Sequence, residues 1–280
     1  ASGFAPVALA YLTEAVAPRW RARAIGAMSA AFLVAGIFGQ VLASTIALRA
    51  SWSWFFVACG VVLAMIFTII LFSVVEVPNH TPSMTLLQQF GNLVGLLFRP
   101  EIVLLGIAHI TLLLSFVALY TGIGHHLEDL HVAASNIILI RLAALPAMFI
   151  SLGVGALAER IGAIRVAQVG FGLAAVGMLG GTFTAQKISG VVASSIVYVS
   201  GVALSIPSMI MLYGETAAPH RGSGMAINGF VLFVGASIGA LVGKAIGGFG
   251  TLTLTLVALL GIAAISLLAL GAIQRKDSSS

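Results

Sequence analysis

The sequence predicts an all-α polytopic membrane protein, and three observations predict it. Hydrophobic residues fill 60% of the 280 positions and charged ones only 8%, with a mean hydropathy of +1.15, whereas a soluble domain carries about 25% charged residues. Apolar runs of about 20 residues or more recur along the chain, each long enough to cross a bilayer core as a helix. The third observation is an internal repeat. Pro6, Glu14 and Pro18 recur as Pro207, Glu215 and Pro219 at an offset of 201, and Arg21, Val34 and Gly39 recur as Arg221, Val234 and Gly239 at an offset of 200.

Taken in order, the chain opens with ASGFAPVALAYL, inside a hydrophobic segment, with no initiator Met and no cationic leader. A partial span is therefore expected at 1–17, as if the chain were cut within a helix. YLTEAVAPRWRARAIG follows, gathering Glu14, Pro18, Arg19, Arg21 and Arg23 into a turn between spans. Full spans are expected at 24–47, 52–75, 102–124, 136–157, 166–185, 189–213, 223–247 and 252–273. Pro6, Pro146 and Pro207 interrupt spans and permit bending.

Alternate loops differ in basic charge. One side holds Arg19, Arg21, Arg23, Arg99, Arg160, Arg165, Arg221, Arg275 and Lys276; the other holds Arg49 and Lys187. Because cytoplasmic loops retain Lys and Arg, the first side and the C-terminal tail QRKDSSS are expected in the cytoplasm. The longest break, 76–101, divides the chain into 1–75, the linker, and 102–280. Leu86, Leu87, Phe90, Leu93, Val94 and Leu97 at helical spacing predict that the linker ends in a helix lying on the membrane surface, with an early start of the next span as the alternative.

The spans after the two repeated turns share small residues four apart: Ala31, Ala35, Gly39, Ala43 and Ala47 in one, Gly235, Gly239, Gly243 and Gly247 in the other. Small residues at that spacing let helix backbones approach closely in lipid. Both are expected to be close-packing helices in equivalent places. Two parallel copies of a six-helix unit are the sequence sign of a transporter whose halves rock about a midplane site.

On these residues the chain resembles the major facilitator superfamily, with its two six-helix bundles. GALAERIGAIR (155–165) is similar to the family's loop signature at Gly155, Leu157, Ala158, Arg160 and Gly162, with Glu159 in place of Asp and the basic residue late, as Arg165. Glu14, Pro18 and Arg21, like Glu215, Pro219 and Arg221, match the ends of the family's fourth and tenth helices. SWSWFF (51–56) resembles the aromatic start of its sixth. The resemblance implies that 1–75 is the remainder of an N-terminal bundle, that 76–101 is the central cytoplasmic loop, that 102–280 is the C-terminal bundle, and that the first three to four helices are absent from this chain. Where drug–proton antiporters of the family read Gly-x-x-x-Gly-Pro-x-x-Gly-Gly, this chain reads AGIFGQVLAS, with Gln40 at the proline.

The resemblance implies that the 155–165 loop is a cytoplasmic gate latch; plain anchoring and a tight turn at Gly162 is the alternative. Glu14, Arg21, Glu215 and Arg221 are expected to form a charge network, either gating or static. Arg141 lies roughly 9 Å from the outer end of its span at 1.5 Å per residue, where an unpaired charge costs on the order of 3 kcal/mol or more. It either faces a central cavity, receiving an anionic substrate or an acid partner, or snorkels outward. His109 lies mid-span, where it either follows a proton or packs as a structural histidine. Tyr120, Tyr213, Gln40 and Asn228 are further candidates for lining that cavity.

Several classes are excluded. Thirteen Lys and Arg in short clusters make no basic face for nucleic acid. Lone Cys59 permits neither an intrachain disulfide nor cysteine-chelated zinc, and the spacing of His125, His126 and His131 near Glu128 and Asp129 matches no metal-ligand pattern. No HExxH, GxSxG or P-loop points to an enzyme, and no cofactor is expected. The expectation is a monomeric, multi-pass transporter of the cytoplasmic (inner) membrane working by alternating access. Its resemblance to bacterial efflux permeases implies proton-coupled export of small hydrophobic compounds. An organic anion or sugar transporter, and a nontransporting sensor, scaffold or inactive truncated product, are the alternatives.

Overall fold

The computed structural model describes residue 8 and residues 11–12, 16–49, 51–73 and 86–277. Two helices represent the first part of the chain, α1 (Pro18–Arg49) and α2 (Trp52–Ser73). A short helix, α3 (Leu86–Leu97), precedes α4 (Pro100–Asp129), separated from it by a turn in which Arg99 N–H donates to the Leu96 carbonyl. The linker thus ends in a helix of its own and not in an early start of α4. Pro100 opens α4, where a missing N–H costs nothing, and Glu101 in the first turn complements the helix dipole.

The next span is broken into α5 (Ala134–Leu142), α6 (Leu145–Met148), a 3-10 turn at Phe149–Gly153, and α7 (Val154–Ile161). Pro146 explains the first break: it cannot donate to the carbonyl four residues back, and its ring crowds that carbonyl. α8 (Ala163–Thr184), α9 (Ile188–Thr216), α10 (Arg221–Ala245) and α11 (Phe249–Asp277) complete the chain. Pro207, by contrast, sits inside an uninterrupted α9.

Seven stretches among the described residues are long and apolar enough to cross a membrane: most of α2, α4, Leu139–Ile161, α8, α9, α10 and most of α11. With 32 residues α1 adds an eighth helix of crossing length, about 48 Å at 1.5 Å per residue. Helices therefore occupy all eight predicted full spans; the partial span at 1–17 lies almost wholly outside the described residues. Two predicted loops are corrected. Arg19, Arg21 and Arg23 belong to the first turns of α1, because Pro18 is pre-set for a helix start and Arg and Ala propagate it. His125, His126, Glu128 and Asp129, past the expected end of their span at 124, belong to the last turns of α4.

Packing is uneven along the chain. α9 is the most enclosed helix, packed along α8 and touching α4 and α10, while α10 and α11 both pack on α4. Missing side chains set the close approaches: Gly177 lies against the Tyr198 backbone, and Gly201 against Ala174. Gly235, Gly239 and Gly243 on α10 lie against the carbonyls of Ile110, Leu114 and Ala118 on α4. α2 has no buried residue within its apolar window and touches α1.

Candidate functional site

Helix alternation gathers the arginines that open α1, α4, α8 and α10, and those that close α7 and α11, at one end of the molecule. Contacts agree with that placement. Arg99, Glu101, Glu215, Thr216 and Gln274 line one open cleft of about 480 Å³, and Asn92 on α3 meets His220 at 3.4 Å. Glu215 is exposed and interacts electrostatically with Arg221. Arg21 is half-buried with an unpartnered Nε. Glu14 lies outside the described residues, so the described part of the expected four-residue network is Arg21 and the Glu215–Arg221 pair. Arg23 sits 4.7 Å from the Trp20 ring centroid, a cation–π contact within one helix turn that spacing alone does not announce.

The signature loop forms one compact corner. Gly155 is buried at the start of α7, Leu157 is half-buried, and Glu159 and Arg160 are exposed near its end. Gly162 alone joins α7 to α8, at φ 87° and ψ 142°, a backbone shape that side-chain-bearing residues avoid. Arg165, exposed, follows in the first turn of α8. Residues of α7 and of the 3-10 turn pack on α1, where Gly26 comes so close to the Ser151 carbonyl that an added Cβ would lie 2.7 Å from it. Sequence reasoning missed Gly26; its signal was a glycine one turn before buried Ser29 and Ala30 in an otherwise alanine-rich stretch.

Two polar clusters occupy α4. His109 is fully buried, its ring 5.8 Å from that of Tyr213 on α9, with Asn228 of α10 close enough to act on it. Among the described residues these groups meet no partner within strict hydrogen-bond geometry, although Asn228 lies close enough to hydrogen-bond the imidazole. An imidazole, an amide and a phenol gathered in one buried spot are unusual, because a buried polar group is costly unless it is matched.

Eleven residues further along α4, about 16 Å, Tyr120 falls on nearly the same helix face as His109. Here Arg141 donates from Nη2 to the Tyr120 carbonyl at 3.0 Å, and Gly124 leaves the room the guanidinium occupies. Arg141 is half-buried, so it neither extends freely to the outer surface nor lies in the dry core. Its Nε and the buried Tyr120 hydroxyl are unpartnered. Both residues line an open cleft of about 280 Å³ with Thr121, His125 and Glu128.

The structure thus brings His109 and Asn228 together, and Arg141 and Tyr120 together, in separate places. Gln40 lies in α1, but its side chain is outside the described residues. A buried hydrogen bond of 2.8 Å between Ser115 and Tyr198 joins α4 to α9 and was not foreseen. The outer histidines point apart: His125 Nδ1 meets the Thr121 carbonyl at 3.0 Å, whereas His126 stacks 4.5 Å from Phe249 and meets the Ala185 carbonyl at 2.8 Å. Among the described residues no three His, Cys, Asp or Glu side chains form a metal cage.

Comparison with known proteins agrees with this architecture. A search of the curated proteins found no match. Among solved structures the chain is similar to a bacterial homologue of the iron transporter ferroportin in its outward-facing state, with 14% identity and a TM-score of 0.65. The match covers 92% of this chain and 65% of that one, so this chain spans less than two thirds of that protein's length. At that identity the likeness is one of fold. The model of the Major Facilitator Superfamily matches residues 1–217, more than three quarters of the chain. This chain belongs to the major facilitator superfamily.

Proposed function

We propose that the protein is a secondary active transporter of the cytoplasmic membrane, with its arginine-rich end and C-terminus in the cytoplasm, exporting small hydrophobic compounds in exchange for protons. The observation that carries this reading is the buried polar cluster of His109, Asn228 and Tyr213. A buried imidazole beside an amide and a phenol suits a group that takes up a proton when a closed bundle opens to water. Packing of α1 on α7 supports a conformation closed at the arginine-rich end, and the break at Pro146 supports a hinge by which α7 moves relative to α5.

The test is efflux by the complete protein in proteoliposomes under an imposed pH gradient. His109→Gln is expected to lower gradient-driven efflux about tenfold or more while leaving substrate-for-substrate exchange intact. Efflux still coupled to the gradient in that variant refutes the assignment. His109→Leu, which can neither take up a proton nor pair with Asn228, is expected to abolish coupling as well.

A second reading, transport of an organic anion, is favoured by the Arg141–Tyr120 cleft, whose bare Nε and hydroxyl both donate. Arg141→Ala separates the two: it abolishes anion transport under this reading and spares export of uncharged compounds under the first.

A further inference from the structure

We propose that the cleft between α8 and α11 at the arginine-rich end binds the phosphate headgroup of an anionic phospholipid, with the acyl chains laid along the outer faces of the two helices. The cleft measures about 190 Å³ and is lined by Ile164, Arg165 and Gln168 of α8 and by Gly271, Gln274 and Arg275 of α11. Each helix contributes one guanidinium and one carboxamide. Two guanidiniums facing one notch suit a phosphate, which they grip through paired N–H donors.

The notch is built, and its shape depends on two residues. Gln168 donates from Nε2 to the Leu267 carbonyl at 3.2 Å, tying the helices together at the cleft's inner edge. Gly271 forms the floor: a Cβ there would lie 3.3 Å from Ile164 Cδ1 and 3.6 Å from Gln168 Nε2, narrowing the space between the arginines.

What distinguishes a lipid from a soluble anion is the surface that continues from the notch. On α8, Val169, Val176 and Phe183 follow Arg165 at intervals of four, seven and seven residues, one helix face, and they are 57%, 63% and 79% exposed. On α11, Leu268, Ile265 and Leu254 precede Arg275 at 7, 10 and 21 residues, again one face, at 61%, 67% and 52% exposed. Two apolar tracks thus start at the two arginines and run about 27 Å, close to the thickness of the hydrocarbon core. A cationic notch at the membrane surface continuous with such tracks fits an amphiphile with an anionic head.

The test uses the full protein purified into neutral phosphatidylcholine nanodiscs and titrated with phosphatidylglycerol, read by native mass spectrometry. Wild type is expected to bind phosphatidylglycerol saturably, and 10 mM inorganic phosphate is expected not to displace it. Each arginine contributes about fivefold, so Arg165→Gln with Arg275→Gln weakens binding about 25-fold, whereas Arg49→Gln at the opposite end leaves it unchanged. Gly271→Leu fills the notch with both charges in place and is expected to weaken binding at least tenfold; the paired lysine variants retain most of it. Unchanged affinity in the double glutamine variant overturns the proposal, as does displacement by inorganic phosphate, which marks a soluble-anion site. If the double variant fails to fold, unchanged affinity in Gly271→Leu overturns it equally.

Discussion

On α10, Gly235, Gly239 and Gly243 press against three successive turns of α4, whereas at the register-matched positions of α1 Ala35 is exposed and Gly39 has no atom of a described residue within 4 Å of an added Cβ. Both helices carry small residues every fourth position, and the repeat offset of 200 aligns Gly39 with Gly239. The expectation that both stripes are packed is therefore corrected for α1, and for Gly247, which lies beyond the end of α10 with nothing near it. A small-residue stripe licenses close approach without naming a partner. At the same offset no position within 1–280 corresponds to α4, while the close contact α1 does make, at Gly26, lies off the stripe.

The largest expected effect comes from breaking the packed side. Gly239→Leu drives a side chain into the Leu114 carbonyl, where backbone cannot yield, and is expected to cost about 3 kcal/mol. Denaturation of the purified protein in detergent measures it; a cost below about 1 kcal/mol would mean that α10 and α4 are not held together by this stripe. Gly26→Leu is the matching perturbation on α1, expected to cost the closed arrangement about 2 kcal/mol because Ser151 sits in a 3-10 turn with more freedom to shift. Spin labels at Ala27→Cys and Ala156→Cys, in a Cys59→Ser background, read the outcome as a wider α1–α7 distance. An unchanged distance separates this contact from gating.

Much of the architecture was legible in the sequence because bilayer thickness and the absence of water leave few alternatives to long apolar helices. The eight full spans, the separate linker helix and the Gly162 corner all follow from hydropathy and glycine placement. Charge was a poorer guide to boundaries: Arg19, Arg21 and Arg23 looked like a loop, yet arginine is a good helix former and extends α1 past the apolar run. Side-chain partnerships were legible only as types. That His109 and Asn228 meet, and that Tyr120 offers Arg141 its backbone and not its hydroxyl, depends on how α4 is rotated against α5 and α10. Hydropathy, nearly uniform around α4, does not record that rotation.

Gly162 separates close approach from backbone shape, the two reasons a glycine can matter in this comparison. Nothing lies within 4 Å of its built Cβ, so Gly162→Ala meets no neighbour and suffers only from φ 87°. The expected cost is about 1–2 kcal/mol, read as a lower melting midpoint. Gly162→Asn should cost about as much, since φ 87° with ψ 142° lies outside the left-handed helical region that asparagine tolerates.

The smallest expected effect is the sharpest test of what the open stripe is for. Gly39→Leu in this 280-residue chain adds a side chain where no described residue lies within 4 Å, so its cost should stay within about 0.5 kcal/mol, the range of ordinary surface changes. In a longer chain that supplied a counterpart of α4, the same substitution should cost as much as Gly239→Leu, because the repeat would then place a carbonyl against Gly39. A large cost in the short chain would mean that α1 already packs through its stripe. A small cost in both would mean that the two copies share a sequence pattern without sharing a packing role, and that Gly26 alone sets the position of α1.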